Sequence, residues 1–228
     1  RTAALLGVWL ARRGGMRSAI GPGWRGSTSR RERVRQACAR ASDLLDELPP
    51  GGMALITGPS GSGKSTLLAA AGTLGRRRGG RVVVARLAHP GAGGRSSRRV
   101  IDLAGGAAPE DAHAWLRLLS QCGMGEAGPL LRRADQLSTG QSQRVALALA
   151  LWKARPLAGP SRAPRGGVLL VIDALGESLD RLSAASVCVG LRRALVALGP
   201  RVRTAVATAH DDLHPSLRPD VHVHLALN

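Results

Sequence analysis

Two hydrophobic rhythms run through this chain. In "ERVRQACARASDLLDEL" (32–48), Val34, Ala37, Ala41, Leu44, Leu45 and Leu48 recur at helical spacing, which predicts an amphipathic helix that "PPGG" (49–52) breaks. "MALIT" (53–57) is a short continuous apolar run and predicts a buried strand. "STLLAAAGTL" (65–74) is helical in character, and "RVVVARLA" (81–88) is a second strand candidate. A Gly/Ser/Arg loop (91–99) leads into "VIDLAGG". A helix is expected from Pro109, because Pro suits the first helical turn and Glu110 and Asp111 suit its dipole; Trp115, Leu118 and Leu119 share its apolar face. A further helix should follow Gly140 in "QSQRVALALALW". Residues 154–167 read as a surface loop. Strands are expected at 168–172, at "TAVATA" (204–209) and at "VHVHLAL" (221–227), with a helix near 181–198. Strands alternating with helices predict an α/β fold with a mostly parallel sheet.

Residues 1–31 contain no acid and several arginines, and are expected to form a basic, poorly ordered tail ahead of one domain over 32–228. "AALLGVWLA" (3–11) also has some character of a targeting segment. No apolar run reaches the roughly 18–20 residues that a membrane span needs.

The composition changes the picture in one respect. Phe and Tyr are absent, and only Lys64 and Lys153 among 33 basic residues are lysine. Arginine has replaced lysine wherever charge alone matters, in keeping with a GC-rich codon bias. The net charge of +18 would suit nucleic-acid or acidic-membrane phosphates. The aromatic stacking platforms of single-strand binders are missing, since Trp9, Trp24, Trp115 and Trp152 are scattered. Cys38, Cys122 and Cys188 have no metal-like spacing and read as free thiols of a reducing compartment.

Against that background "GPSGSGKST" (58–66) stands out. It fits G-x-x-x-x-G-K-[ST] and lies between an expected strand and an expected helix, where a phosphate loop must lie. Gly58, Gly61 and Gly63 let the backbone curl, so that the N–H groups along Ser60, Ser62 and the start of the helix face inward. The helix N-terminus adds its partial positive charge. Lys64 should reach the β- and γ-phosphates of a nucleotide. Ser65 should offer its hydroxyl to Mg²⁺, with Thr66 close by. A chain nearly free of lysine has kept one where a compact ammonium is needed. Downstream, "VLLVID" (168–173) is an apolar strand ending in Asp173, the expected second metal-holding group.

Three further motifs complete a pattern. "LSTGQSQR" (137–144) resembles the LSGGQ signature of ABC-type ATPases, with Thr139 in place of a glycine. "SLD" (178–180) resembles their D-loop, and "TAHDD" (208–212) their switch-histidine motif. The order is right, and the resemblance covers roughly residues 50–225. It is closest to soluble ABC ATPases found alone or fused to acetyltransferase-like domains, which end near "HDDL…L-P-D-V"; here the text is "HDDLHPSLRPDV".

The resemblance implies a P-loop NTPase fold with a small helical signature subdomain, cytoplasmic, using ATP and Mg²⁺. It implies a head-to-tail homodimer sandwiching two ATP molecules, with an acetyltransferase-like protein or another effector as partner. Ser138, Gly140 and Gln141 would offer a second anion site, facing the phosphate loop of the other subunit. His210 would contact the γ-phosphate, and Asp180 would link the two active sites. His222 and His224, two apart on one strand face, read as surface or packing residues.

Three departures matter. Residues 81–120 lack the glutamine that transporter ATPases carry there. The aromatic residue that often stacks on adenine has no counterpart but Trp24. Above all, Ala174 stands where the catalytic glutamate belongs, and a methyl group can neither take a proton nor orient water. Glu177 is three residues on, wrongly spaced to replace it, and His210 as sole base is the other option. The expected activity is slow ATP hydrolysis by a soluble, dimerising ABC-type protein. The alternatives are the ATP-binding subunit of a transporter, or a hydrolysis-deficient ATP-gated module, for instance one that binds nucleic acid.

Overall fold

The computed structural model describes residues 11–12, 29–87, 98–104, 109–155 and 166–226. Most of the basic tail, Trp24, the loop at 91–97 and residues 156–165 lie outside these residues. The apolar runs become strands β2 (Met53–Thr57), β3 (Arg81–Arg86), β4 (Val168–Asp173), β5 (Val202–Ala207) and β6 (Val221–His224), and the backbone of Ala11–Arg12 forms a two-residue β1. They build one sheet in the order β1-β6-β2-β5-β4-β3. All neighbours are parallel except β1, which runs antiparallel to β6.

The central strands are apolar on both faces because helices cover both. In β4, Leu169 and Val171 join the side packed by α1 (Arg30–Glu47) and α2 (Lys64–Arg77). Val168, Leu170 and Ile172 join the other side. That side carries α3 (Pro109–Gln121), α5 (Thr139–Ala154), α6 (Arg181–Leu198) and the short α7 (His214–Leu217); a five-residue α4 (Ala127–Leu131) lies between α3 and α5. The phosphate-loop helix α2 and the signature helix α5 therefore sit on opposite faces of the sheet.

Local chemistry sets several boundaries. Helix α1 starts earlier than its apolar spacing suggested, because Ser29 caps it: its hydroxyl accepts from the Glu32 N–H at 3.3 Å. β5 starts and ends two residues earlier than the expected 204–209, and β6 stops at His224 with only a bridge at Leu225. Gly140 lies inside the first turn of α5, not before the helix, because Ser138 is the cap residue.

The tryptophans that look scattered in sequence are partly gathered. Trp115 is buried, donates from Nε1 to the Val100 carbonyl at 3.1 Å, and meets Trp152 edge-on at 5.9 Å. Arg155 lies 3.9 Å above the Trp152 ring. Gly190 of α6 is pressed against the end of α3, where a Cβ would run into the Gln121 carbonyl. Cys38, Cys122 and Cys188 are unpaired, and burial pushes the thiols of Cys122 and Cys188 up to about 12, which makes both inert at neutral pH. No helix among the described residues is long and apolar enough to cross a membrane.

Candidate nucleotide site

The site forms where parallel strands end. β2 runs directly into the loop 58–63. Gly58, Gly61 and Gly63 have φ of 140°, 83° and 95°, values that side chains disfavour. Gly58 also has no room for a side chain, since a Cβ would meet the Leu225 carbonyl beyond β6. Gly63 is the left-handed N-cap of α2, so the first N–H groups of that helix have no helical acceptors. Lys64 is buried, and its ammonium donates to the Gly58 carbonyl at 2.7 Å and the Pro59 carbonyl at 2.9 Å. The lysine thus spans its own loop from inside, at the place where phosphates would compete for it. Ser60 and Gly61 are exposed at the rim, Ser62 is buried, and Ser65 and Thr66 are exposed on the first turn of α2.

Strand order does what sequence spacing could not. β5 lies between β2 and β4. The segment after β5 therefore emerges between the phosphate loop and Asp173, and that segment carries His210. Thr208, fully buried, fixes it. Its hydroxyl donates to the Leu175 carbonyl at 2.8 Å and accepts from the His210 N–H at 3.1 Å, while its own N–H donates to Ile56 at 3.1 Å. Leu175 in turn donates to the Ala207 carbonyl at 3.0 Å. The chain just past Asp173 is thereby tied to the His210 segment.

Ala174 sits inside this tie. It is 5% exposed, and its φ of 61° is unusual for a residue with a side chain. A left-handed alanine costs about 1 kcal/mol or more, which the anchored Leu175 on its C-terminal side offsets. Nothing at position 174 can accept a proton.

The donor set suits Mg²⁺ rather than a transition metal. Asp173, half-buried at the end of β4, and the Ser65 hydroxyl are hard oxygen ligands. Among the described residues no cluster of three or more His, Cys, Asp or Glu could hold an ion by itself. That fits a cation held by few protein groups together with phosphate oxygens.

A profile of the ABC transporter family matches residues 42–158. The chain belongs to the ABC transporter ATP-binding cassette family. It is similar to the lipoprotein-releasing system ATP-binding protein LolD of Anaeromyxobacter dehalogenans, at 41% identity over 124 residues, 42% of this chain and 51% of that protein. It is also similar to the macrolide export ATP-binding/permease protein MacB of Marinobacter nauticus, at 33% over 189 residues, 71% of this chain and 27% of that one. The matched region thus spans about half of the first relative and about a quarter of the second. The fold matches the dimeric structure of the bacterial ABC transporter cassette MJ0796, with TM-score 0.58 and 20% identity, covering 78% of this chain and 83% of that one. It also matches cbiO1 from Clostridium perfringens, with TM-score 0.54 and 20% identity, covering 78% and 74%.

The remaining cassette motifs lie apart from the phosphate loop of the same chain. Ser138 and Gln141 form a reciprocal cap on α5: the Ser138 hydroxyl accepts from the Gln141 N–H at 3.3 Å, and the Gln141 carbonyl oxygen accepts from the Ser138 N–H at 3.1 Å. Gly140 packs on the D-loop, where a Cβ would stand 3.0 Å from a Leu179 methyl. Asp180 caps α6 by accepting from the Ser183 N–H at 2.9 Å; the Ser183 side chain first, and this backbone bond second, hold its carboxyl below the usual carboxylate range. Within one cassette, then, the signature touches the D-loop, Ser138 and Thr139 are exposed, and α5 lies on the opposite face of the sheet from the P-loop helix.

Sequence reasoning missed two groups. Gln143 is buried in α5 and donates to the Leu87 carbonyl at 2.7 Å and to the Ser178 hydroxyl at 2.9 Å, joining the end of β3 to the D-loop. Its position within "LSTGQSQR" was the available signal.

The second group sharpens the reading of His222 and His224 as surface or packing residues, which named no partner for them. Both are half-buried, and both bond the Thr57 hydroxyl, His222 through Nε2 at 2.9 Å and His224 through Nδ1 at 3.0 Å. Asp211 lies 3.6 Å from His224 Nδ1, and His214 packs 5.0 Å from the His222 ring. Thr57 immediately precedes Gly58, so this network joins the phosphate loop to the segment after His210.

Burial lowers the His222 pKa first; His214 and His224 lower it further, and Asp211 opposes them. The unfolded chain then binds the extra proton first. This contribution is present above the unfolded value of 6.5 and is lost as pH falls below it towards the depressed folded value. Thermal melts should therefore show a falling midpoint from pH 7.5 to pH 5, with a smaller fall in His222→Gln. Equal falls in both proteins would remove His222 from the account.

Proposed function

We propose that this cassette binds Mg-ATP at Gly58–Thr66, closes head-to-tail on a second copy, and hydrolyses ATP slowly. The observation that carries the reading is the combination at one sheet edge: an intact phosphate loop with a buried Lys64, Asp173 two strands away, His210 between them, and a buried methyl where a base is needed. Bound Mg²⁺ would neutralise charge on the phosphates, held by Ser65 and Asp173. Loop N–H groups and Lys64 orient the phosphates. His210, fixed through Thr208, faces the end of the phosphate chain. The signature of the partner supplies Ser138 and the N-terminus of its α5 to the same nucleotide, in keeping with the place of α5 on the opposite sheet face from α2. With no carboxylate at 174, water is neither oriented nor deprotonated there, and His210 is left as the candidate base. The sandwich should therefore persist.

The test is light scattering of the purified chain with and without Mg-ATP. The expected result is a monomer that becomes a long-lived dimer with ATP and not with ADP. A chain that stays monomeric at saturating ATP would overturn the dimer.

A second reading rests on a separate observation. The relatives are named as ATP-binding parts of a lipoprotein-releasing system and a macrolide exporter. On that reading the cassette drives a membrane subunit, and recovery of a polytopic membrane protein with the tagged chain would support it over the free-standing form.

A further inference from the structure

At the opposite end of the sheet from the phosphate loop, the starts of β4 and β5 border a cleft of about 330 Å³. Arg78, Arg201 and Arg203 line it, together with the backbone of Gly80, Gly166 and Gly167. The three guanidinium groups come from separate places: Arg78 ends α2, Arg201 precedes β5, and Arg203 lies within β5. A carboxylate answers Arg78. Asp46 of α1 takes a two-pronged contact from Arg78, at 2.7 Å and 3.3 Å, and Ser42 accepts from the same guanidinium at 2.9 Å. Arg78 is thus paired with a carboxylate, and Arg201 and Arg203 add positive charge to the cleft.

Arg203 reaches Asp46 only through its field, and no described side chain accepts a hydrogen bond from Arg201 or Arg203. Leu45, Val168, Leu169 and Pro200 form the apolar part of the wall, and the glycines leave bare backbone beside it. Extra side chains are excluded because a Cβ on Gly166 would stand 2.6 Å from the Gly80 nitrogen, and one on Gly167 would stand 2.7 Å from the Arg201 carbonyl. A small concave site with surplus, orientable guanidinium donors and no aromatic wall suits a compact multivalent anion.

We propose that this cleft is a second anion site that takes a small phosphate-bearing ligand of pyrophosphate size, with Arg201 and Arg203 as its donors and Arg78 held in place by Asp46. It is independent of the nucleotide site and does not rest on the function proposed above.

The experiment is calorimetric titration of the full chain with pyrophosphate, run on Lys64→Ala to silence the phosphate loop, and repeated on wild type saturated with Mg-ATP. Both should retain one pyrophosphate site. Arg201→Gln/Arg203→Gln should weaken it by about tenfold or more, since each charge-assisted hydrogen bond is strong. ATP binding at the phosphate loop should be unchanged in that variant. Raising the salt should weaken pyrophosphate binding, because the site is open to solvent. Arg201 is exposed, so Arg201→Gln alone provides the same reading should the double variant melt early. No pyrophosphate binding with the phosphate loop silenced would overturn the proposal. So would affinity unchanged in the arginine variants, or binding of a single-stranded oligonucleotide in place of pyrophosphate.

Discussion

Ala174→Glu should raise ATP turnover by about 10²-fold or more, the usual contribution of a positioned general base. The case rests on what is already in place around position 174. Leu175 is held by Ala207 and Thr208, Thr208 holds His210, and Asp173 closes β4. Adding a carboxylate completes an arrangement whose other members are fixed. The backbone at 174 already has φ of 61°, and a glutamate there bears little more strain than the alanine. The new side chain must leave a position that is 5% exposed and reach towards the nucleotide, so some loss of stability should accompany the gain. Ala174→Gln is the control: it has the same bulk and no base, and it should leave turnover slow. A radiolabelled-ATP assay on the three proteins decides the matter. Turnover at ordinary enzyme rates in the natural chain, unmoved by either substitution, would show that the base comes from elsewhere.

Lys64→Ala should abolish useful ATP binding, with a loss in affinity of about 10²-fold or more. Hydrogen bonds from a charged donor contribute about 1.5–3 kcal/mol each, and the buried ammonium can direct more than one at the phosphates. Here Lys64 donates to Gly58 and Pro59, so the lysine is pre-positioned within the loop and little ordering remains on binding. Lys64→Arg should not rescue it. The planar guanidinium needs more room than the small space between two carbonyls, and it presents a fork where a point charge is wanted. Equilibrium binding of a fluorescent ATP analogue measures both variants, with a thermal melt to show that each is folded. Unchanged affinity in Lys64→Ala would mean that nucleotide binds elsewhere on the chain.

The two substitutions probe different parts of one edge. Lys64 acts on nucleotide held by a contiguous loop. Ala174 acts through a position that matters only because three strands end side by side. The legibility of the site divides along the same line.

Much of the cassette was readable one residue after another. "MALIT" followed by "GPSGSGKST" contains strand, loop and helix start within a few residues, and its chemistry is local: glycines where φ must be positive, and a lysine within reach of its own loop. The apolar runs at 168–172 and 53–57 had to be strands buried on both faces, and they are. The reciprocal cap of Ser138 and Gln141 is just as local, although the reading of the sequence placed the helix start after Gly140. Such features depend on bonds and torsions within a turn or two of chain, so the sequence determines them wherever the segment folds.

What remained hidden depends on which strand lies beside which. His222 and His224 read as surface or packing residues with no partner, because alternation along β6 says nothing of the neighbouring strand. Pairing β6 with β2 set Thr57 between them, across 165 and 167 residues of sequence. Gln143 looked like part of a motif until α5 lay across the end of β3 and the D-loop. Arg78, Arg201 and Arg203 are ordinary members of an arginine-rich chain until α2 and β5 bring them around one cleft. The placement of β5 between β2 and β4 decided that His210 stands between the phosphate loop and Asp173. Sequence by itself determined the elements and the nucleotide loop, because short-range sterics and hydrogen bonding act within contiguous chain. Only the tertiary structure decided which polar groups share a hydrogen bond or a charge, because those partners are chosen by strand order and helix packing over long separations.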